Sequence, residues 1–99
     1  MPRGKCLRHI NEKPGVTYYK PAGIPLRELL EVNIGLDEFE AIRLSDSEGL
    51  YQEDAAKHMN VSRATFGRIL DEAHRKIADA LINGKAIRIE GGNVQLKIT

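Results

Sequence analysis

The fold is decided by residues 52–70, which read QEDAAKHMNVSRATFGRIL. In the first half of this stretch Ala55, Ala56 and Met59 recur at the spacing that places them on one face of a helix. In the second half Ser62 has the side chain of a helix N-cap, and the helix that it opens meets a C-terminal stop at Gly84. The stretch therefore predicts a helix over residues 52–59 and a third, longer helix that begins at residue 62.

The join between these two helices has the residues that a helix-turn-helix requires. Such a unit needs a small residue where the helices cross, a tight turn, an apolar plug beside the turn and two apolar anchors on the second helix. Those positions are occupied by Ala56, Asn60, Val61, Phe66 and Ile69. Asn is one of the few residues that tolerates the left-handed conformation that such a turn adopts. The pattern therefore predicts helix-turn-helix geometry.

The side of the second helix that points away from its apolar stripe has groove-reading chemistry. Arg pairs bidentately with guanine, Thr reaches a base edge or a thymine methyl, and small residues let the helix backbone approach the duplex. We therefore expect the DNA-binding residues to be Ser62, Arg63, Ala64, Thr65, Gly67 and Arg68. Arg75 and Lys76, further along the helix, are placed for phosphate contacts.

A first helix is predicted over residues 37–46, with Asp37 as its N-cap, Glu38 and Glu40 in its first turn and Gly49 after its end. Its apolar residues fall on two nearly opposite sides. One side holds Leu36, Phe39 and Ile42, and the other holds Ala41 and Leu44. We expect this helix to lie between two layers.

The long third helix has an apolar stripe that something must cover. The stripe consists of Phe66, Ile69, Leu70, Ala73, Ile77, Ala80 and Leu81. Flanking strands of the same chain cover it, or a second protomer does. We expect a homodimer, because one short recognition helix usually gives too little affinity and range on DNA.

The flanking segments predict strands. All four prolines lie among the first 35 residues, which excludes a long helix there, and residues 16–20 and 30–34 have strand-like patterns. Residues 86–90 and 94–98 alternate in polarity around a Gly-Gly-Asn turn, which predicts a hairpin. The expected fold is a single domain over 1–99, mainly α with small β additions. An extended basic segment (1–35) precedes a three-helix, winged-helix-type core (36–84), and a C-terminal β-hairpin (85–99) follows it.

The net charge of +1 conceals a strong segregation along the chain. Residues 1–27 carry six basic side chains and one acidic, residues 28–54 carry one basic and nine acidic, and residues 55–89 carry seven basic and three acidic. Binding of a phosphate backbone depends on a basic face rather than on the total charge. Arg3, Lys5 and Arg8 are either an arm that contacts phosphate or the minor groove, or a solvated tail.

Several functional classes are disfavoured by composition. No stretch approaches the roughly 18 uninterrupted apolar residues of a spanning helix, and the start Met-Pro-Arg-Gly-Lys-Cys lacks the apolar run of a signal peptide. We therefore expect a cytoplasmic protein without membrane contact. Cys6 is the only cysteine, so an intrachain disulfide is impossible.

Metal and enzyme hypotheses find little support in the sequence. Cys6 and His9, with His58 or His74, supply two ligands at a useful spacing but no complete set, so we expect neither a metal nor a cofactor. The acidic residues at the start of the first helix are sufficiently explained by the helix dipole. Gly84-Lys85 and Gly91-Gly92 lack the spacing of a phosphate loop, and no nucleophile has an identifiable base. We expect no enzymatic activity.

The helix-turn-helix residues named above, with others along the chain, resemble a known family, an uncharacterised group of small bacterial and archaeal proteins described as predicted DNA-binding. In the helical core the resemblance rests on Gly49-Leu50, Gln52, Ala55-Ala56, Met59, Val61-Ser62-Arg63, Thr65-Phe66 and Arg68-Ile69-Leu70. Outside that stretch it extends to Tyr19-Lys20-Pro21, Gly23, Pro25, Glu40-Ala41, Arg43-Leu44, and Gly84-Lys85-Ala86 through Ile89-Glu90-Gly91-Gly92. It covers nearly the whole chain.

The helical part is also similar to region four of bacterial sigma factors, in which the equivalent helix binds promoter DNA in the major groove. This similarity implies that Ser62, Arg63, Thr65 and Arg68 are at DNA-contacting positions. The expected function is sequence-specific binding of double-stranded DNA in transcription regulation. The alternative is a protein-interaction module whose acidic segment, residues 28–54, docks on a basic partner such as RNA polymerase.

Overall fold

A computed structural model describes residues 7–11, 13–92 and 94–96 of the chain. Its helices are α1 (Leu36–Ile42), α2 (Gln52–Met59) and α3 (Arg63–Asn83), with a 3₁₀ turn at Leu26–Glu28 and a π-helical turn at Arg43–Ser47. Its strands are β1 (Arg8–Ile10), β2 (Tyr18–Tyr19), β3 (Glu31–Ile34), β4 (Ala86–Ile89) and β5 (Val94–Leu96). Mixed three-helix architecture with small sheets is thus confirmed.

The helices α2 and α3 form where the sequence predicts them. Ser62 caps α3, and Gly84 ends it in a left-handed conformation with φ 65°. The core that α2 and α3 share contains Met59 and Phe66, both fully buried. Ala41 of α1 and Leu44 of the π-helical turn complete it. This core holds the three helices together.

Helix α1 differs from its prediction at both ends. It begins one residue earlier, because Gly35 takes the cap position and its N–H donates to the Glu38 carboxylate at 2.8 Å. Asp37 therefore lies in the first turn rather than at the cap. The α-helix ends at Ile42 and continues as the π-helical turn, closed by the bond from the Glu48 N–H to the Arg43 carbonyl at 2.8 Å.

The two-layer environment predicted for α1 is confirmed. Ala41 and Leu44 face α2 and α3 in the main core. Phe39 and Ile42 line a cavity together with Ile87 of the three-stranded sheet, and Ile42 also packs against the main core. Helix α1 therefore has apolar contacts on two sides, and α3 also packs directly against the sheet.

The strands form two small sheets. In the three-stranded sheet β4 is central, antiparallel to β2 and parallel to β3. Tyr19 and Val32 both pair with Ile87, so these three residues lie on the face toward α1 and α3, while Tyr18 and its partner Arg88 lie on the other face. The second sheet is a parallel pair of β1 and β5.

The predicted C-terminal hairpin is wrong. Strands β4 and β5 belong to different sheets, because both edges of β4 are already occupied by β2 and β3. Gly91 and Gly92 have positive φ angles, and the Gly91 carbonyl accepts the Leu36 N–H at 2.8 Å. The glycine turn therefore passes beside the start of α1, and β5 pairs with β1 rather than with β4. Asn93 and residues 97–99 of the predicted hairpin lie outside the described residues.

The stripe of α3 is buried except at its end. Phe66, Ala73 and Ala80 are buried, and Ile77 is half-buried. Leu81, at the edge of the stripe, is 74% exposed because no strand reaches over it in the described part of the chain. Among the described helices none combines the length and apolarity that crossing a membrane requires.

Candidate nucleic-acid interface

The turn between α2 and α3 is short and left-handed. Asn60 has φ 59° and ψ 44°, and it is the only described residue other than glycine with a positive φ. Its N–H donates to the Lys57 carbonyl at 3.1 Å, and the Val61 N–H donates to the Ala56 carbonyl at 3.0 Å. Two carbonyls of the last turn of α2 are thereby satisfied while the chain reverses into α3.

Side chains at the crossing of α2 and α3 are packed as the sequence predicts. Ala56 is 2% exposed and leaves room for α3 to pass close to α2. Val61 packs against the same core, and Phe66 and Ile69 are buried on the inner side of α3. This packing fixes which side of α3 faces outward.

The first turn of α3 is held by a side-chain network. The Ser62 hydroxyl accepts the Thr65 N–H at 3.0 Å and donates to the Thr65 hydroxyl at 3.0 Å. The Arg68 guanidinium in turn donates to the Thr65 hydroxyl at 3.2 Å. Thr65 thus connects the cap to Arg68 and holds that guanidinium against the outer surface of the helix.

The structure brings together the residues predicted to read the groove. Arg63, Ala64 and Arg68 are exposed, and Thr65 and Gly67 are half-buried. Within the described part of the chain neither Arg63 nor Arg68 has an ion-pair partner. The other described arginines all do, namely Arg8, Arg27, Arg43, Arg75 and Arg88. The start of α3 therefore carries two cations whose charge no carboxylate of the described chain offsets.

Gln52 belongs to this surface, although the sequence analysis did not select it as a contact residue. A methyl group built on Gly67 would lie 3.6 Å from both the Gln52 Oε1 and the Arg63 Nη1. The first residue of α2 is thus placed beside the second turn of α3. Its signal in the sequence was its position as the first residue of α2, the end of that helix that lies beside the outer face of α3.

The two residues predicted to contact phosphate are separated by the structure. Arg75 is exposed on the outer side of α3 and pairs with Glu72 one turn earlier. Lys76 instead faces α1, where its ammonium lies 2.8 Å from the Glu38 carboxylate. Lys76 therefore joins α3 to α1, and only Arg75 remains on the outer side.

The predicted N-terminal arm is described only at Arg8. That residue lies in β1, and its guanidinium is 3.9 Å from the Asp37 carboxylate, with the side chain 18% exposed. Arg8 is thus built into a sheet and does not extend from the domain. Arg3 and Lys5 lie outside the described residues.

The carboxylates of α1 are occupied by ion pairs. Glu40 is 1% exposed, and its two oxygens accept from Arg43 at 2.8 and 2.9 Å. No group of three or more metal-binding side chains occurs among the described residues, and Cys6 lies outside them. His74, a candidate ligand in the metal hypothesis, is hydrogen-bonded to Asp46, with 2.7 Å between His74 Nε2 and Asp46 Oδ2.

A separate ionic cluster lies on the outer face of the three-stranded sheet. Arg88 donates to Glu31 at 3.0 Å and stacks over the Tyr18 ring at 4.8 Å. Hydrogen bonds from Arg88 and from the Tyr18 hydroxyl lower the pKa of Glu31, and the bond to Glu31 raises the pKa of Tyr18. The cluster links β2, β4 and β3 and lies on a different element from the start of α3.

Comparison with known protein families finds one whose model matches nearly the whole chain. The family described as "Protein of unknown function DUF134" matches residues 1–97. The chain belongs to the DUF134 family. The predicted membership of an uncharacterised family is thereby confirmed, whereas DNA binding and the similarity to region four of sigma factors stay predictions. The α2–α3 unit is part of the matched region.

The curated relatives of this DUF134 chain are called UPF0251 proteins. One from Moorella thermoacetica is 60% identical over 97% of this chain, and one from Caldanaerobacter subterraneus is 57% identical over 97% of it. The chain spans 64% of the first relative's length and 81% of the second's. No solved structure was found to match it.

Proposed function

We propose that this DUF134 chain binds double-stranded DNA through a helix-turn-helix formed by α2, the turn at Asn60 and α3. The observation that carries the proposal is the pair of arginines, Arg63 and Arg68, left without carboxylate partners at the exposed start of α3. Phosphates and guanine edges supply the acceptors that such guanidinium groups need. The similarity to region four of sigma factors supports the same assignment of α3 as the recognition helix.

The shape of the helix start is consistent with insertion into the major groove. Ala64 and Gly67 lie on the outer side between the two arginines and present almost no side-chain bulk. A groove about 12 Å wide accepts an α-helix when its outer face is this slender. Thr65 has a hydroxyl at the edge of the face and, because it already accepts from Arg68, it orients that guanidinium before DNA arrives.

The inserted part of α3 is limited to its first two turns. Asp71 is exposed on the same side of the helix, one turn after Arg68, and its carboxylate is repelled by DNA phosphates. Beyond it, Arg75 is the exposed cation available to a phosphate, at the cost of its pair with Glu72. The base-reading surface is therefore residues 63–68, with Gln52 beside it.

The competing function, docking of the acidic segment on RNA polymerase or another basic partner, is less well supported. Most carboxylates of that segment already pair within the chain, which reduces the negative charge available to a partner. The residues paired with Arg or Lys are Glu28, Glu31, Asp37, Glu38, Glu40 and Glu48. Asp46 is hydrogen-bonded to His74. Glu53 and Asp54 in the first turn of α2 are the exposed acids of the segment without a described ion pair.

The test is a fluorescence-anisotropy titration of the chain against selected and random duplexes at two salt concentrations. Wild type should bind with an affinity that falls steeply with salt, and the Arg63→Ala/Arg68→Ala double variant should lose the selective part of that binding. Arg27→Ala removes another exposed arginine, from the 3₁₀ turn, and should bind like wild type. Equal curves for wild type and the double variant would leave the acidic-segment interaction as the better proposal.

Assembly as a homodimer and a role in transcription regulation extend the same proposal. A second protomer supplies a second recognition helix, and half-sites one helical turn apart, about 34 Å, would then be read together. Sedimentation velocity of the free and DNA-bound chain tests this directly. A single protomer bound per duplex with full selectivity would contradict the dimer while leaving DNA binding intact.

A further inference from the structure

A groove runs along the side of the sheet that faces α1 and α3, away from the start of α3. It consists of two adjoining cavities of about 330 and 260 Å³ that share Tyr19 and Ile87 as a common wall. Tyr19 is 54% exposed and stands at the border between them. Volumes of this size are in the range that holds a small organic ligand.

The cavity of about 260 Å³, here called the inner cavity because it lies between α1 and the sheet, has an apolar lining. Phe39 and Ile42 of α1 and Ile77 of α3 form one wall, and Ile34 and Ile89 of the sheet form the other. These side chains offer a polar group no hydrogen-bond partner. The inner part therefore suits a hydrocarbon or aromatic body.

The cavity of about 330 Å³, here called the outer cavity, differs from the inner one in its charge, because two lysines line it. Lys85 is bonded to Asp79 at 2.9 Å, so its charge is offset. Lys20 has no ion-pair partner among the described residues, and its ammonium donates to the Pro21 carbonyl at 3.1 Å. The ammonium of Lys20 is thus a positive charge without an offsetting carboxylate at the outer-cavity end of the groove, which we call its mouth.

The residues at this mouth come from two segments that are far apart along the chain. Tyr19-Lys20-Pro21 precedes the helical core, and Gly84-Lys85 follows it, yet both segments line the same outer cavity. The pairing of Tyr19 with Ile87 brings them together across β2 and β4.

We propose that the groove is a binding site for an amphipathic organic anion, with its apolar body between the sheet and α1 and its anionic group at Lys20. Charge complementarity at the mouth and the apolar inner walls together select this ligand class over a neutral or a fully polar one. The site does not depend on DNA binding. It lies against the C-terminal half of α3, whose N-terminal half carries Arg63 and Arg68.

Octanoate and octanol are suitable probes because they share an apolar chain and differ in charge. In ¹⁵N-resolved NMR titrations of the 99-residue chain, octanoate should shift the amides of Tyr19, Ala80 and Ile87 in a saturable manner. Octanol should bind more weakly at the same residues. Lys20→Gln should weaken octanoate binding by about threefold to fivefold, the range for one partly exposed charge, and leave octanol unchanged.

Two neighbouring substitutions on α3 form a matched control. Leu81 lines the outer cavity and is 74% exposed, whereas Ile82 is 82% exposed and is not part of the lining. Leu81→Glu should therefore weaken octanoate binding by about threefold to fivefold, and Ile82→Glu should leave it as in wild type. Both positions are exposed, so both variants should fold.

Three outcomes would overturn the proposal. Octanoate shifts that are absent or scattered over the surface would show that the groove is no anion site. Equal effects of Leu81→Glu and Ile82→Glu would show that the mouth does not sense ligand charge. A wild-type dimer that Leu81→Glu dissociates, with no octanoate bound by the resulting monomer, would assign the groove to a second copy of the chain. DNA titrations of the same variants report on the helix-turn-helix independently.

Discussion

The Ser62 side-chain oxygen lies 3.0 Å from the Thr65 backbone nitrogen and thereby caps α3 at the point where its outer face becomes exposed. Replacing Ser62 by Ala removes this acceptor, and the free energy of unfolding should fall by about 1 kcal/mol. Urea denaturation followed by circular dichroism measures the change. Ser62→Asp retains a capping oxygen and should keep most of the stability, yet its carboxylate should weaken DNA binding. Unchanged stability in Ser62→Ala would show that the cap contributes nothing.

Gly67→Ala should separate stability from DNA binding. The added methyl meets Gln52 and Arg63 only at ordinary contact distance, 3.6 Å, so the helix gains from the better helix former by up to about 1 kcal/mol. The same methyl occupies the surface that faces the duplex, so anisotropy titrations should show weaker binding. Gly15→Ala, where an added methyl meets no atom within 4 Å, should bind DNA like wild type. Wild-type affinity in Gly67→Ala would mean that this face does not approach DNA.

Asn60 should tolerate Gly but not Ala. Its φ of 59° is left-handed, a conformation that costs most L-residues about 1 to 2 kcal/mol and that glycine adopts freely. We expect Asn60→Ala to lower the free energy of unfolding by about 1 kcal/mol and Asn60→Gly to leave it nearly unchanged. Chemical denaturation of the two variants side by side is the measurement. Equal stabilities would contradict a left-handed turn at this position.

The Glu31 and Arg88 pair should contribute to the acid limb of the stability profile. The pKa of Glu31 is lowered from its ordinary value of 4.5, first by the hydrogen bond from Arg88 and then by that from Tyr18. A carboxyl with a lowered folded-state pKa stabilises the protein above its unfolded pKa, and this contribution is lost as pH falls through the folded-state value. Glu31→Gln should therefore be less stable at neutral pH and lose less stability below pH 4.5.

Thermal denaturation across the acid range provides the readout for this pair. Glu28→Gln changes a carboxylate of the neighbouring 3₁₀ turn whose contact with Arg27 is long, 3.8 Å, and solvent-exposed. Its profile should run parallel to that of wild type. A Glu31→Gln profile that is also parallel to wild type would show that the sheet cluster does not couple folding to pH.

The helical core could be predicted because its signals are local. Asn60 in the turn, Ser62 at the cap and Gly84 at the stop each act through their own backbone and neighbours within one turn. The apolar spacing of residues 52–70 then determined which side of α3 turns inward. The outer placement of Arg63 and Arg68 followed from the same spacing, so the candidate site itself was readable from the sequence.

Pairing of the strands could not be predicted from the sequence. Alternation with period two tells which side chains share a face but not which strands are neighbours in the sheet. Because β4 and β5 are close in sequence they were predicted to pair with each other, but β4 pairs with β2 and β3, and β5 pairs with β1. The same limit applies to charge. Lys76 and Arg75 are neighbours in sequence, but only the fold places Glu38 beside Lys76 and leaves Arg75 outside.

The sequence by itself therefore determined the helices, the turn and the direction in which the two arginines point, because these depend on interactions within a few residues. Only the tertiary structure decided that Arg63 and Arg68 have no carboxylate partners in the described chain, and that Tyr19 and Lys85 meet at one groove. These properties depend on distances between residues far apart along the chain, which are set by the packing of α1 and α2 on α3 and of α3 on the sheet.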